Sequence, residues 1–149
     1  METMRISSPA FADNGQIPSR YTCDGEDINP PLHLEHIPEG TKSLALIIED
    51  PDAPSGLWIH WMVWNINPHQ TEIVENSTPK EAMVGRNNFE RTSYGGPCPP
   101  SGTHRYIFRL FALNTVLALA GGSTKKQLEE AMKPHVLANA QLTGLYGRP

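Results

Sequence analysis

Cysteine is scarce: Cys23 and Cys98 are the only two thiols in 149 residues. Two cysteines are too few for a disulfide framework and lack the clustering of a zinc site. They read as two free thiols, with a single Cys23–Cys98 bridge open if their loops meet. Long apolar runs are missing as well. The segment Met1-Glu2-Thr3-Met4-Arg5-Ile6-Ser7-Ser8-Pro9 holds no hydrophobic stretch for a signal peptide. Nothing elsewhere approaches the roughly 20 apolar residues that span a bilayer. A cytoplasmic protein with no integral membrane segment is therefore expected. Positive charge is also short, since 12 Lys and Arg against 16 Asp and Glu leave a net charge of -4. A nucleic-acid binder needs a basic patch to displace the counterions around each phosphate, and attachment to anionic lipid needs the same. Neither partner fits. What remains, 38% apolar and 19% charged residues, is the composition of one globular domain over residues 1–149 with room for a core.

Two stretches organise the chain. The first runs Asp50-Pro51-Asp52-Ala53-Pro54-Ser55-Gly56-Leu57-Trp58-Ile59-His60-Trp61-Met62-Val63-Trp64-Asn65. The second runs Tyr94-Gly95-Gly96-Pro97-Cys98-Pro99-Pro100-Ser101-Gly102-Thr103-His104-Arg105-Tyr106. Each sets a proline-stiffened, glycine-containing loop beside a histidine and then enters an apolar, aromatic-rich segment that reads as a strand. They form two halves of one small site, in which Asp50, Asp52, His60 and His104 titrate and the glycines leave backbone N–H groups open to a ligand.

The rest of the chain reads as mainly β. Residues 4–31 are turn-rich, with Asp13-Asn14-Gly15, Cys23-Asp24-Gly25 and Asn29-Pro30-Pro31 as breaks, and suit an edge or covering layer. Leu32 to Ile37 alternates and predicts a strand. Ser43 to Glu49 is a continuous apolar run too short for a helix, hence a central strand buried on both faces. In the strand Trp58 to Ile66, alternation puts Trp58, His60, Met62 and Trp64 on one face and Ile59, Trp61, Val63 and Asn65 on the other. Residues 67–88 read as a surface connection with one short strand at Glu72-Ile73-Val74. Arg105 to Leu113 alternates cleanly, with Tyr106, Phe108 and Leu110 facing one way. Thr124-Lys125-Lys126-Gln127 has the form of a capping box before a short helix bearing Leu128, Ala131 and Met132. Pro134 suits the first turn of a second helix over about His135 to Leu142, and Gly144-Leu145-Tyr146-Gly147 a last short strand. No internal repeat or low-complexity tract occurs.

Two imidazoles and an aspartate suit a small anion, because a nearby carboxylate raises a histidine's pKa and leaves the pocket positive near neutral pH. Gly95 and Gly96 N–H groups and the Tyr94 or Tyr106 hydroxyl would complete the hydrogen bonds. The bland alternative, each histidine satisfying a core contact, loses weight because both stand beside rigid loops. A metal site of two histidines plus Asp50 or Asp52 has no short metal signature. A hydrolase needs a placed nucleophile, and Ser55, Ser101 and Cys98 sit in no elbow or comparable setting. Trp58, beside the loop, is the tryptophan able to line a pocket, the other two reading as core.

These motifs are similar to those of the phosphatidylethanolamine-binding protein family, also called the Raf kinase inhibitor protein family. The residues that carry the resemblance are Asp50-Pro51-Asp52-Ala53-Pro54, the strand Trp58 to Asn65, and Gly96 to Tyr106 with its Cys98 variant. Together with Tyr21-Thr22-Cys23-Asp24-Gly25, they resemble the prokaryotic YbhB/YbcL branch over nearly the whole chain. The resemblance implies an antiparallel β-sandwich of two sheets with short C-terminal peripheral helices. It implies a binding protein, not an enzyme, with no metal or cofactor and a pocket made by Asp50, Asp52, His60, Gly96, Pro97, His104 and Tyr106. Phosphate, acetate or phosphorylated head groups are the ligands it implies. A kinase or a serine protease is the partner known from relatives, protease inhibition being the alternative function, and plant relatives regulate flowering. The longer eukaryotic carboxy-terminal extension is missing here, which argues against a lipid or Raf-like role. A homodimer is expected from the same branch.

Overall fold

The run Ser43–Asp50 is buried at every one of its eight positions, the signature of a strand covered on both faces, and the fold is built around it. The computed structural model describes residues 3–148; Met1 and Glu2 of the amino-terminal segment read above, and Pro149, lie outside the described residues. In chain order the strands are β1 Arg5–Ser7, β2 Gly15–Gln16, β3 Leu32–Glu35, β4 Ser43–Asp50, β5 Trp58–Ile66, β6 Glu72–Ile73, β7 Met83–Val84, β8 Gly102–Leu113 and β9 Val136–Arg148, with one helix, α1 Lys125–Met132. They make a three-stranded sheet in the order β1-β3-β6 and a six-stranded sheet in the order β2-β9-β8-β4-β5-β7. Every pairing is antiparallel except β2 with β9.

Alternation decides what each face of the large sheet buries. Leu46, Ile48, Phe108 and Leu110 meet Ile6, Leu32, Leu34 and Ile73 of the small sheet in the inter-sheet core. Ala45, Ile47, Phe111 and Leu113 point the other way and pack beneath Leu128 and Met132 of α1. Burying one such leucine or isoleucine is worth about 1.5–3 kcal/mol, so both layers are strongly held. The helix begins where the capping box predicts: Thr124 Oγ1 accepts from the Gln127 N–H, and the Gln127 side chain accepts from the Thr124 N–H.

Two readings of the sequence fail, each for a physical reason. The second helix over His135 to Leu142 does not form. A short 3-10 turn, Lys133–His135, follows α1, and the chain then runs as one strand from Val136 to Arg148. Local helix formers such as Ala138, Ala140 and Gln141 are overridden by backbone pairing with β8 from Val136↔Leu113 to Arg148↔Gly102. The peripheral helical layer is thus α1 and one 3-10 turn. The second failure is in β5, where Ile48 pairs with Trp61 but Glu49 with Ile59, leaving His60 as an extra residue. A bulge of this kind puts two successive side chains on one side. Ile59, Met62 and Trp64 therefore pack in the α1 layer, while Trp61 and Val63 enter the inter-sheet core, and His60 parts from Met62 and Trp64. Elsewhere β3 ends two residues before the expected Ile37, at a left-handed His36 with φ 57°. No helix among the described residues is long and apolar enough to cross a membrane.

Candidate functional site

At one end of the inter-sheet core, where β4 runs out into the Pro51–Leu57 loop and β8 begins, lies a cavity of about 260 Å³. Its polar wall is Asp50, His60, His104 and Tyr106, and its apolar collar includes Ala53, Pro54, Trp58, Phe89, Pro99 and Pro100. The antiparallel register explains the convergence. Ile48 is opposite Phe108 and Glu49 opposite Ile107, so the last residue of β4 falls beside Tyr106 and diagonal to His104, on one face. His104 Nδ1 lies 2.7 Å from Asp50 Oδ2, with both side chains buried. A carboxylate oxygen only accepts, so Nδ1 carries the hydrogen. The other Asp50 oxygen accepts from the Asp52 N–H at 2.7 Å, which fixes the start of the loop.

His60 reaches the same cavity from β5. Its Nδ1 is 2.7 Å from the Gly95 carbonyl oxygen, so that nitrogen too is the donor. The ring stands edge-on to Phe89 at 5.3 Å and to Tyr106 at 5.2 Å between centroids, and His104 stacks on Tyr106 at 6.4 Å. Burial pulls the His60 pKa below its ordinary value, against smaller upward pulls from the Gly95 carbonyl and Asp50. The pocket positivity expected from the sequence therefore fails at His60: this ring is buried to 3% exposure and favours its neutral form. Among the described residues both histidines are hydrogen-bonded through Nδ1, which turns Nε2 of each ring to other partners.

The second loop is held from behind by residues that carried no signal of their own. Asn87 donates to the His60 and Ser93 carbonyls and accepts from the Phe89 and Arg91 N–H groups. It thereby moulds residues 87–95 onto the bulged end of β5 and brings Phe89 into the wall. Asp27 Oδ1 accepts from the Gly96 N–H at 2.8 Å, and the Gly95 N–H donates to the His60 carbonyl. Both N–H groups that the sequence reading leaves for a ligand are thus consumed by the scaffold. The Tyr94 hydroxyl is consumed too, donating to the Tyr21 carbonyl at 2.7 Å. The Tyr106 hydroxyl, by contrast, is buried without a partner among the described residues, and burial drives its pKa up, so it stays a donor.

Of the residues expected at the site, Asp50, His60, His104 and Tyr106 line the cavity, joined by Trp58. Asp52 does not. Its carboxylate is bound by Arg105 through Nε and Nη2, both at 2.9 Å, and through the backbone N–H, and the Arg105 guanidinium holds its pKa down to about 2. Gly96 and Pro97 stand behind the wall; the Pro97 carbonyl accepts from the Cys23 N–H. The two cysteines are joined in a Cys23–Cys98 disulfide, so Cys98, at the cavity edge, is not a thiol nucleophile. Among the described residues no three His, Cys, Asp or Glu side chains are grouped to hold a metal ion.

Comparison with known proteins agrees with this architecture. The family model described as phosphatidylethanolamine-binding protein matches residues 7–147. A UPF0098 protein of Methanothermobacter thermautotrophicus is 52% identical over 97% of this chain and 99% of its own length. Another, from Chlamydia pneumoniae, is 45% identical over 96% and 98%. Among solved structures, a phosphatidylethanolamine-binding protein homologue from Chlamydia trachomatis superposes with a TM-score of 0.96 at 42% identity over all of both chains. Escherichia coli YbcL, described as a member of the mammalian PEBP family, gives 0.92 at 29% identity over 99% of this chain and 100% of its own. With its two-sheet sandwich and these relatives, the chain is a prokaryotic member of the phosphatidylethanolamine-binding protein family.

Proposed function

We propose that the cavity between β4, β5 and β8 is a non-catalytic binding site for a small molecule carrying a phosphate or carboxylate group. Family membership supports a binding protein, and one observation carries the finer reading. Two imidazoles and a partnerless, buried tyrosine hydroxyl meet at the bottom of one small cavity with an apolar collar. A buried hydroxyl without a partner costs about 1–3 kcal/mol, which a ligand oxygen accepting from Tyr106 would offset. Trp58, Phe89 and the prolines would cover the ligand's apolar part. Binding without chemistry fits because neither imidazole is hydrogen-bonded to a serine, threonine or cysteine side chain among the described residues. Calorimetric titration of phosphoethanolamine into wild type and His104→Ala tests it: binding lost or weakened at least tenfold in the variant is expected, and equal binding by both proteins would refute the site.

A serine protease inhibitor is the second reading. The stretch Cys98 to Ser101, exposed except at the buried Pro99, is pinned by the disulfide and by the Arg148 guanidinium on the Pro99 carbonyl, and rigidity of that kind lowers the ordering loss when a loop is bound. Assays of trypsin-like and chymotrypsin-like proteases with this protein in excess decide it. Modulation of a kinase is proposed on family grounds alone, as is a homodimer, for which light scattering gives the mass. A cytoplasmic location is compatible with the Cys23–Cys98 bond only where the compartment leaves the bond oxidised, as inside hyperthermophiles. Trapping thiols with an alkylating agent in intact cells reads that directly.

A further inference from the structure

We propose that the cavity selects a phosphomonoester bound together with one proton, that proton lying between His60 Nε2 and a phosphate oxygen. This rests on the anion reading above and adds the ionisation state and ester class of the ligand. The Gly95 carbonyl can only accept, so His60 Nδ1 must donate to it at 2.7 Å. In the neutral ring the only polar atom left for a ligand is then the Nε2 lone pair. A lone pair repels an unprotonated anionic oxygen and welcomes a hydroxyl. A phosphomonoester supplies that hydroxyl as its monoanion, because its second ionisation falls near pH 6.

The surrounding charges point the same way. Asp50 faces both rings, Asp27 adds negative charge behind Gly96, and Tyr106 contributes a neutral hydroxyl. Near His104 stand Asp50, Tyr106 and Tyr146, the last directly opposite it on β9. Among the described residues no lysine or arginine lines the cavity; of the arginines around it, Arg105 is paired with Asp52 and Arg148 with Asp24, and Arg91 lies over the Phe89 ring. With no lysine or arginine in its lining the pocket has no fixed cation to balance a second negative charge, and burial disfavours the charged form of the His60 ring. Above the ester's ionisation, binding therefore draws a proton from solvent. Whether it rests on the oxygen or on Nε2, the bound pair holds one more proton than the free species. A diester has no hydroxyl to offer and leaves Nε2 against an anionic oxygen. The cavity of about 260 Å³ limits the ester to a small one.

Methyl phosphate and dimethyl phosphate are titrated calorimetrically at pH 8 in two buffers of different ionisation enthalpy, and methyl phosphate again from pH 6 to 9. About one proton taken up per methyl phosphate is expected. Its affinity should fall about tenfold per pH unit above pH 7, and dimethyl phosphate should bind about ten- to a hundredfold more weakly at pH 6.5, the loss of one charge-assisted hydrogen bond. His60→Gln offers an N–H to the anion with no proton needed, so in this variant the uptake should vanish and the pH profile flatten. Methyl phosphate binding without proton uptake, or equally tight binding of the diester, overturns the proposal and leaves the anion site standing. No binding of either ester overturns both this proposal and the phosphate reading on which it rests.

Discussion

His104 and Asp50 meet through a 2.7 Å hydrogen bond between Nδ1 and Oδ2, although 54 residues separate them in sequence. The contact sits at the mouth of the inter-sheet core, with His104 7% and Asp50 3% exposed. It joins the end of one central strand to the start of its neighbour, so the pair is part of the scaffold as well as of the cavity. Truncating one side of a buried polar pair leaves the other uncompensated. His104→Ala is therefore expected to lower stability by about 3 kcal/mol, seen as an earlier urea midpoint with unchanged slope. Asp50→Asn keeps an amide oxygen to accept from Nδ1 and should lose less than half as much.

Acid acts on the fold in two steps. The folded His60 has its pKa lowered by burial, so below the ordinary value of 6.5 the unfolded chain binds a proton that the folded chain resists. Its contribution is complete above about pH 6.5 and declines as the pH drops toward the folded value. Asp52 is a depressed acid, held at about 2 against an ordinary 3.8 by Arg105. Its contribution is present above pH 4 and disappears between about pH 4 and 2; the pair is partly exposed, so salt weakens it. Urea midpoints measured every half pH unit from 7.5 to 2 should show both declines. Arg105→Gln should remove only the lower one, and its persistence in that variant would assign it to other carboxylates.

Cys23–Cys98 closes a loop with a sequence separation of 75, and crosslinks of that length restrict the unfolded chain to the extent of about 4 kcal/mol. Native contacts already hold the same two segments: Cys23 N–H to the Pro97 carbonyl, Gly96 N–H to Asp27, Tyr94 hydroxyl to the Tyr21 carbonyl. A Cys23→Ser, Cys98→Ser double variant should therefore keep the fold, shown by unchanged far-ultraviolet dichroism. It should lose about 2–4 kcal/mol of stability and become insensitive to a dithiol reductant that destabilises wild type by the same amount.

The sequence spoke clearly where the information is local. The runs from Ser43 and Trp58 and the alternation from Arg105 to Leu113 carry their own burial pattern, and Thr124 with Gln127 announces the helix start. It was silent or misleading where a distant partner decides. Val136 to Leu142 reads as a helix until β8 is beside it. The bulge at His60 leaves no mark in its own strand, since the register with Ile48 and Glu49 creates it. Asp27 and Asn87 looked like loop polarity because their partners lie 69 and 27 residues away. Of the candidate site, Asp50, His60, His104 and Tyr106 were legible from the two loop motifs. Phe89 was not, because it takes the hydrogen bonds of Asn87 and Asn88 to distant β5 to make its segment part of the wall.

Gly96 shows how closely that wall is fitted. A Cβ there would lie 2.5 Å from Asp27 Oδ1, 2.5 Å from the Tyr21 carbonyl oxygen and 2.9 Å from Thr22 Cα. Two of the three are backbone atoms of a segment tied down by the disulfide one residue on, at Cys23, so the neighbours have little room to retreat. Gly56 is the useful contrast, with φ 103° and nothing within 4 Å of its Cβ position. There a side chain meets strain but no clash, and Gly56→Ala should cost about 1 kcal/mol. Gly96→Ala should cost at least twice that by overpacking. It should also push the Gly95 carbonyl out of line with His60 Nδ1, releasing the ring from its single tautomer. The chemical shifts of the His60 ring nitrogens would report this: in wild type Nδ1 should resonate as the protonated nitrogen, and in Gly96→Ala the two shifts should move toward each other. Unmoved shifts in a destabilised Gly96→Ala protein would show that the loop absorbs the methyl group without disturbing the histidine.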